Sequence, residues 1–308
     1  MQYVSVAAEY DGQRLDNFLI RLLDGVPKSA IYRMIRRGEV RINRGRKGPH
    51  YRVRSGDELR VPPRPVEEEQ EPTRRSRAQA SKLLQGLDGR ILYEDDDLLI
   101  LNKPHGLAVH GGSGIAMGLI EALREHFAAS KLELIHRIDR DTSGCVAVAK
   151  HRRALLTAQA QFREQRVKKR YELLVEGVWP ARRRRVDLPL DRWLTRSGER
   201  RVRVDQEQGK PSRTDFQRLR CCDAASWLQA TPHTGRTHQI RVHAAQLGHP
   251  LLGDDKYGSD AQQQRWRAGG IDRLCLHAER LRLELDGRDI DVRAPVPPSF
   301  EQLWQRLS

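Results

Sequence analysis

Near the start of the chain, hydrophobic residues recur at the spacing of an amphipathic helix. The residues at i, i+3, i+4 and i+7 are Leu15, Phe18, Leu19 and Leu22, which line one helical face. The next apolar stripe is Ile31, Met34 and Ile35. It predicts a second helix, with Ser29 as its N-cap and Gly38 just beyond its C-terminus.

Strand-like alternation follows these helices. Val40 and Ile42 alternate with polar residues, and a turn is expected at 43–45. Apolar residues at 51, 53, 59 and 61 indicate further short strands. Residues 14–61 are therefore predicted to form two helices followed by a few strands.

From about residue 90 the pattern becomes dominated by strands. We predict strands at 91–93, 98–101, 145–149, 170–176, 201–204, 212–219, 226–231 and 280–292. We predict helices at 115–127, 152–166 and 237–247. Because the helices interrupt the strands irregularly, the expected fold class is α+β with a mixed or antiparallel sheet.

Proline and charge clusters separate the two regions. Prolines at 62, 63 and 65 open a segment that turns acidic and then basic, with a weak helical pattern at 78–84. We predict an N-terminal domain over 14–75, a linker over 62–89 that overlaps its end, and a C-terminal domain over 90–308.

The charge of the chain predicts a polyanionic partner. Lys and Arg number 56 against 41 Asp and Glu, which gives a formal net charge of +15, and +8 of it falls within residues 14–61. Nucleic acid is the first candidate. The chain shows no apolar run near the ~18–20 residues of a membrane span and no secretory signal. We therefore expect a cytoplasmic protein without a membrane partner.

Several familiar sites are missing from the sequence. It contains no GxxxxGK[ST] phosphate loop, no HExxH and no GxSxG. The four cysteines make no CxxC pair, so a zinc ribbon is excluded and a disulfide framework is not expected. His233, His238 and His243 recur every five residues, which does not place them on one helical face. We expect neither a metal nor a cofactor.

Two segments are rich in polar and charged residues. Residues 136–144 lead into a predicted apolar strand, and residues 234–243 include the predicted start of a helix. Each could be only a network of salt bridges at the surface. A carboxylate such as Asp139 needs a cation to stay ionised in a pocket, and Arg241 could supply one. A single carboxylate without a metal suits attack on a sugar or proton removal from it.

The N-terminal region resembles the S4 RNA-binding domain. The resemblance rests on Arg14–Leu19, Pro27–Ser29 and Arg37–Asn43. It implies that basic residues contact RNA phosphates. The candidates on the second helix and the following strand and turn are Arg33, Arg36, Arg37, Arg41 and Arg44. The alternative is a generic solvated face.

The C-terminal region resembles the RluA-type pseudouridine synthases of the ribosomal large subunit. Residues 136–144 look like that family's HRLDxxTSG motif, with Ile138 in place of the usual Leu. Residues 101–104, 169–171 and 235–243 match its other motifs in the same order. The resemblance covers nearly all of residues 3–300.

This resemblance implies roles for particular residues. Asp139 falls on the catalytic aspartate, Tyr171 on the active-site tyrosine, and Arg241 on the arginine that pairs with the aspartate. Arg137 falls on the arginine beside the flipped base. His136 is expected to be a structural hydrogen-bonding residue, and Asp141 is given no catalytic role. Basic runs at 166–170, 182–185 and 200–203 are expected to follow RNA phosphates.

The partner implied is large-subunit ribosomal RNA or its assembly precursor, and we expect a monomer. Two alternatives stay open. One is the same chemistry on other RNA sites, such as transfer RNA, and the other is a non-catalytic ribosome-assembly factor. The motifs do not specify which uridines are modified, or whether Asp139 attacks C1′ or deprotonates C2′.

Overall fold

The structure, a computed structural model, describes residues 2–23, 26, 28–62, 86–111, 117–128, 131–195 and 200–308. The chain divides into two compact units, residues 1–74 and 75–308. The weak helical pattern at 78–84 and the start of the helix predicted at 115–127 lie outside the described residues. The predicted domain and linker bounds stay predictions.

The N-terminal unit contains two helices and a small sheet. The helices are α1 (Leu15–Leu22) and α2 (Lys28–Arg37). The strands are β1 (Gln2–Ser5), β2 (Arg41–Ile42) and β3 (Glu58–Val61), in the antiparallel order β1-β3-β2. One face of the sheet packs with both helices in an apolar cluster that includes Leu15, Leu19, Ile31 and Leu59.

Three details of this unit differ from expectation. Strand β1 lies before the predicted start at residue 14. Helix α2 begins at Lys28, so Ser29 falls in its first turn and does not cap it. Tyr51 and Val53 lie outside the named strands. The predicted role of Gly38 is confirmed, because its φ of 69° is the left-handed conformation typical after a helix C-terminus.

The second unit is built mainly from strands. They are β4 (Ile91–Glu94), β5 (Leu98–Lys103), β6 (Glu133–Leu134), β7 (Ser143–Ala149), β8 (Lys168–Glu176), β9 (Arg183–Asp187), β10 (Leu190–Leu194), β11 (Arg200–Val204), β12 (Arg213–Cys221), β13 (Ala225–Pro232), β14 (Leu276–Leu285) and β15 (Arg288–Arg293). Its helices are α3 (Leu119–His126), α4 (Arg152–Arg163), α5 (Gln239–Gln246), α6 (Asp260–Ala268) and α7 (Pro298–Leu307). Among the described residues, no helix combines the length and apolar character that crossing a bilayer requires.

Most of these strands form one mixed sheet. Its order is β4-β5-β7-β14-β8-β13-β12-β9, with β15 also paired to β14 and β6 to β7. The pairing of β7 with β14 is parallel, and the other named pairings in this sheet are antiparallel. The prediction of an α+β fold with a mixed sheet is confirmed. Strands β10 and β11 form a separate antiparallel pair.

Several elements escaped the sequence pattern. The strand predicted at 280–292 is two strands, β14 and β15, joined at Asp286 and Gly287, which both have positive φ. Strand β9 has only one buried residue, Val186, among arginines and an aspartate, so it lacks the expected alternation. Helix α6 likewise buries only Trp266.

The junction of β7 and β14 requires a glycine. Ala278 lies opposite Gly144 in the parallel register. A Cβ added at Gly144, whose φ is 108°, would lie 2.3 Å from the Ala278 carbonyl oxygen. The atoms that this Cβ would meet, the oxygen, carbon and nitrogen of Ala278, all belong to the backbone, so they cannot move aside cheaply. The close approach of the two strands therefore depends on glycine at this position.

We predict that Gly144→Ala lowers the free energy of unfolding by about 3 kcal/mol or more, because it combines a clash with unfavourable φ. Gly287→Ala is the matched control, since Gly287 has a φ of 77° but no atom within 4 Å of an added Cβ. That control should cost about 1–2 kcal/mol. Denaturant unfolding of both variants tests this, and equal losses would contradict the close-contact argument.

Candidate active site

Asp139 lies in the loop that leads into β7. Its main-chain oxygen accepts a hydrogen bond from the Thr142 N–H at 3.2 Å, which closes a tight turn before the strand. Thr142 and Ser143 are buried, whereas the Asp139 side chain is 31% exposed. The carboxylate is therefore anchored at the start of a buried strand and remains accessible to a ligand.

A buried polar network contacts the first residue of β7. The Ser143 hydroxyl accepts from Arg273 Nη2 at 2.8 Å and lies 2.9 Å from His277 Nδ1. His277 Nε2 lies 3.3 Å from the Ala294 carbonyl oxygen, so Nε2 carries the hydrogen and Nδ1 accepts from Ser143. Burial lowers the pKa of His277 to about 4, which keeps the ring neutral near pH 7.

His238 is the titratable side chain that approaches the Asp139 carboxylate. It immediately precedes α5 in a left-handed conformation, and its Nε2 lies 3.9 Å from Asp139 Oδ2. Its Nδ1 lies 2.7 Å from the Tyr257 hydroxyl, which accepts from the Val202 N–H at 3.2 Å. Burial raises the pKa of Tyr257 to about 12, so the phenol retains its proton.

Burial and nearby charge together act on the protonation of His238. Its Nδ1 shares one hydrogen bond with the Tyr257 hydroxyl, and which of the two donates depends on the ring tautomer. Burial lowers the pKa of His238, although the Asp139 carboxylate opposes this shift. At 3.9 Å the contact is too long for a hydrogen bond. The matched motif at 235–243 contains His238, but the sequence indicated no contact between this residue and Asp139.

Arg241 does not form the expected direct pair with Asp139. Its guanidinium donates to Asp254 through Nε at 2.8 Å and Nη2 at 2.6 Å, and to Asp255 at 3.2 Å. Asp254 is fully buried and Arg241 is only 1% exposed. A fully buried carboxylate needs a cation more than a partly solvated one does, so Asp254 takes the guanidinium.

Arg241 nevertheless acts electrostatically at the site. Burial works against its charged form, but hydrogen bonds to Asp254 and the charges of Asp254 and Asp139 raise its pKa above the usual value. The guanidinium carbon also lies 5.2 Å from the centre of the Tyr257 ring. Arg241 is therefore a permanent buried cation near Asp139.

Tyr171 lies on β8, opposite Ala230 of β13. Its ring packs against two apolar clusters, one that includes Ile138 and one that includes Ile240. Burial, reinforced by the charge of Asp139, raises the pKa of Tyr171 well above its usual value. Its hydroxyl therefore stays protonated at neutral pH and can donate a hydrogen bond.

Lys103 supports the site, a role that the sequence did not predict although the residue lies in the matched motif 101–104. Its buried ammonium donates to the carbonyl oxygens of Pro104 at 2.8 Å, Leu107 at 2.7 Å and Arg140 at 2.8 Å. Burial lowers its pKa to about 7. Three carbonyl acceptors need three N–H donors, so this geometry requires the ammonium form. Lys103 thereby ties the loop after β5 to the residue that follows Asp139.

Other residues of the 136–144 segment have distinct positions. His136 Nε2 accepts from the Ala147 N–H at 3.1 Å, which is the structural role predicted for it. Arg137 is exposed beside Asp139. Asp141 pairs with Arg140 at 3.0 Å and is not free to act with Asp139 as an acid–base pair.

The segment before α5 is organised by Gln239. Its Oε1 accepts from the Thr234 hydroxyl at 2.6 Å and the Arg236 N–H at 3.1 Å. Its Nε2 donates to the Arg213 carbonyl and the Thr214 hydroxyl, both at 2.9 Å. This closed network holds the start of the helix that carries His238 and Arg241. Across the described residues, no group of His, Cys, Asp and Glu could hold a metal ion.

The predicted RNA-binding arginines of the N-terminal unit are on its surface. Arg33, Arg36 and Arg37 are exposed on α2, Arg41 is half-buried on β2, and Arg44 is exposed in the following turn. Arg37 lies 3.9 Å from Glu39. Their role in RNA binding stays a prediction.

The arrangement around Asp139 suits chemistry at a sugar carbon. It brings together one accessible carboxylate, a neutral imidazole, a protonated phenol and a buried guanidinium. The neighbouring carboxylates Asp141, Asp254 and Asp255 are already in ion pairs. A glycosidase would need a second free carboxyl group, and none lies beside Asp139 among the described residues.

Comparisons with known proteins assign the chain to a family. The family model described as RNA pseudouridylate synthase matches residues 97–246, and the S4 domain model matches residues 13–59. The chain belongs to the RNA pseudouridylate synthase family and is an RNA pseudouridine synthase, an isomerase, with an N-terminal S4 domain.

Individual relatives extend the similarity over the whole chain. The chain is 45% identical to ribosomal large subunit pseudouridine synthase C of Escherichia coli K12, covering 100% of this chain and 97% of that protein. It is 46% identical to the same-named protein of Yersinia pestis, over 96% and 92%. Human RNA Pseudouridylate Synthase Domain Containing 1 has a similar structure, with a TM-score of 0.60, 31% identity and coverage of 73% and 95%.

The neutral His277 makes stability depend on pH. The unfolded chain takes up a proton on this histidine near pH 6.5, whereas the folded protein does so only near pH 4. Stability should therefore fall as the pH drops from about 6.5 to 4, by about 3 kcal/mol from this residue. His277→Gln should lose less stability over that range in denaturant unfolding, and identical pH dependence would contradict the assignment.

Proposed function

We propose that this chain converts uridines to pseudouridine in large-subunit ribosomal RNA, with Asp139 as the catalytic carboxylate. The observation that carries the proposal is the accessible Asp139 carboxylate, which lies 3.9 Å from the neutral His238 and whose charge helps to raise the pKa of the protonated Tyr171. The names of the relatives support the large-subunit substrate. Action as a monomer in the cytoplasm is part of the same proposal.

The reaction breaks the N1–C1′ bond of uridine, turns the base and joins C5 to C1′. Asp139 supplies the carboxylate, either by adding to C1′ or by removing the C2′ proton, and a deuterium isotope effect at C2′ would separate these routes. The uracil is retained, so no second acid is needed to release it. The Tyr171 ring stacks near the uracil, and its hydroxyl supplies a hydrogen bond.

Access to a paired uridine requires that it leave the helix. Arg137 is exposed two positions before Asp139, which supports a role in filling the space left by the flipped base. Arg241 is held in place by its buried pair with Asp254, and its positive charge acts on Asp139. Arg33, Arg36, Arg37, Arg41 and Arg44 contact phosphates of the RNA.

The two alternatives have less support. A non-catalytic assembly factor would not need the carboxylate, phenol and guanidinium that this site retains. Action on transfer RNA uses the same chemistry, but the named relatives over the full chain favour the large ribosomal subunit.

Asp139→Asn should abolish pseudouridine formation, because the amide can neither add to C1′ nor accept the C2′ proton. RNA affinity should change little, since binding is carried by arginines and lysines. Tritium release from RNA labelled at uridine C5 measures turnover. Asp141→Asn is the matched control and should remain active. Measurable turnover by Asp139→Asn would refute the catalytic assignment.

Arg241→Met should lower both activity and stability, because it leaves the buried Asp254 carboxylate without its cation, at a cost of about 3–5 kcal/mol. The double variant Arg241→Met/Asp254→Asn removes both charges and should recover much of the stability. Its activity should remain lower by orders of magnitude, because the cation near Asp139 is still missing. Near-normal turnover in the double variant would show that Arg241 acts only as a structural partner.

A further inference from the structure

The sheet of the N-terminal unit has one open face. Leu59 and Val61 of β3 are buried in the core, so Glu58 and Arg60 point to the opposite face. Tyr3 of β1 lies directly opposite Arg60 on one side, and Arg41 of β2 lies opposite it on the other. Tyr3, Arg60 and Arg41 therefore form a row across this face.

A fixed turn adds Arg44 to the row. Asn43 and Arg44 have φ values of 48° and 65°, as in the two-residue hairpin turn that requires positive φ at both central positions. The Asn43 amide donates to the buried Asp57 at 2.8 Å and accepts from the Glu58 N–H at 2.9 Å. The side chains around the resulting open cleft of about 810 Å³ are Tyr3, Arg41, Arg44, Glu58 and Arg60.

The arginines of this cleft lack partners. Within the described part of the chain, Arg41, Arg44 and Arg60 make no side-chain hydrogen bond or ion pair, and Arg60 Nε is buried without an acceptor. A buried donor without an acceptor is costly. The rest of the Arg60 guanidinium lines the cleft and has no protein acceptor, so it is available to a phosphate oxygen. Glu58 is the single carboxylate in the cleft, so a net charge of +2 remains.

Arginines of the second unit behave differently. Many pair with carboxylates at 3.1 Å or less, including several in the basic runs expected to follow phosphates. Examples are Arg166–Glu164, Arg170–Glu279, Arg185–Asp215 and Arg203–Asp205. Other arginines, such as Arg54 and Arg137, also lack a side-chain partner among the described residues. The cleft differs from them because it places three unpaired guanidiniums in one row beside an exposed aromatic ring.

Tyr3 gives the cleft an aromatic surface. At 63% exposure it is the most exposed large hydrophobic side chain of the described residues. An exposed aromatic ring beside a row of cations is the combination that binds single-stranded nucleic acid, because bases stack on the ring and phosphates contact the cations. Bases inside a duplex are already stacked and do not offer a free face.

We propose that this cleft binds an unpaired nucleotide of the RNA substrate, with its base stacked on Tyr3 and the flanking phosphates bound by Arg41, Arg44 and Arg60. The proposal rests on the proposed function, because the nucleotide belongs to the RNA that carries the target uridine. Tyr3 and Arg60 lie outside residues 13–59, which match the S4 domain model. The stacking residue therefore lies outside the matched residues, whereas Arg41, Arg44 and Glu58 lie within them.

The test measures binding of the full-length protein to a labelled oligouridylate of about 12 nucleotides and to an RNA duplex of the same length, over a series of salt concentrations. Tyr3→Leu should bind the oligouridylate about tenfold more weakly, which is about 1.4 kcal/mol, with an unchanged salt slope. Its affinity for the duplex should be unchanged. Tyr3→Phe keeps the ring and should bind as tightly as the parent.

The arginine variants separate phosphate contacts from stacking. Arg60→Gln should reduce the slope of log affinity against log salt by about 0.7 on the oligouridylate. Arg54→Gln is the matched control, because it removes an exposed arginine of the same unit that does not line the cleft. It should leave both affinity and slope unchanged.

Two results would overturn the proposal. One is a Tyr3→Leu protein that binds the oligouridylate as tightly as the parent does. That result would mean that this face contacts a protein partner or only solvent. The other is an equal loss on single strand and duplex. The proposed function fails separately: a parent that makes no pseudouridine in ribosomal RNA but retains the Tyr3 effect would refute that function and support this site.

Discussion

The close parallel contact between β7 and β14 is the constraint on which the catalytic unit depends. It joins the strands on the β4–β5 side of the sheet to those on the β8–β13 side. Asp139 lies in the loop before β7, whereas Tyr171 lies on β8, the strand that pairs with β14. The site therefore assembles at a junction where a glycine allows two backbones to approach, and a buried network of Ser143, His277 and Arg273 holds the strand start in place.

Burial decides which charges pair and which stay available. Asp254 is fully buried, so it pairs with the Arg241 guanidinium. This pair keeps a positive charge fixed near Asp139. Asp139 keeps solvent access and needs no direct cation. The result is a carboxylate that a substrate can reach, surrounded by groups whose protonation is set by burial: His238 neutral, Tyr171 protonated. Lys103 adds a second buried cation, used entirely to hold loop carbonyls.

The two units use arginine in different ways. In the catalytic unit many arginines are neutralised by nearby carboxylates and serve the fold. In the N-terminal unit the open sheet face keeps guanidiniums without acceptors beside an exposed tyrosine. A total charge of +15 therefore indicates a nucleic-acid partner, but it does not indicate which arginines are free to contact it.

The sequence alone determined the two helices of the N-terminal unit, the α+β class with a mixed sheet, and the motif carrying Asp139, because local periodicity and short polar motifs depend on neighbouring residues. It missed β9 and α6, which bury too few residues to show a pattern. It also predicted a direct ion pair between Arg241 and Asp139, whereas Arg241 binds Asp254. It gave no role to Lys103 and did not predict the contact of His238 with Asp139. Lys103 and Arg140 are 37 positions apart, and Arg241 and Asp254 are 13 apart. Only the packed fold decides which of several carboxylates or carbonyls a buried cation meets, because the cost of leaving each one unpaired depends on its solvent exposure.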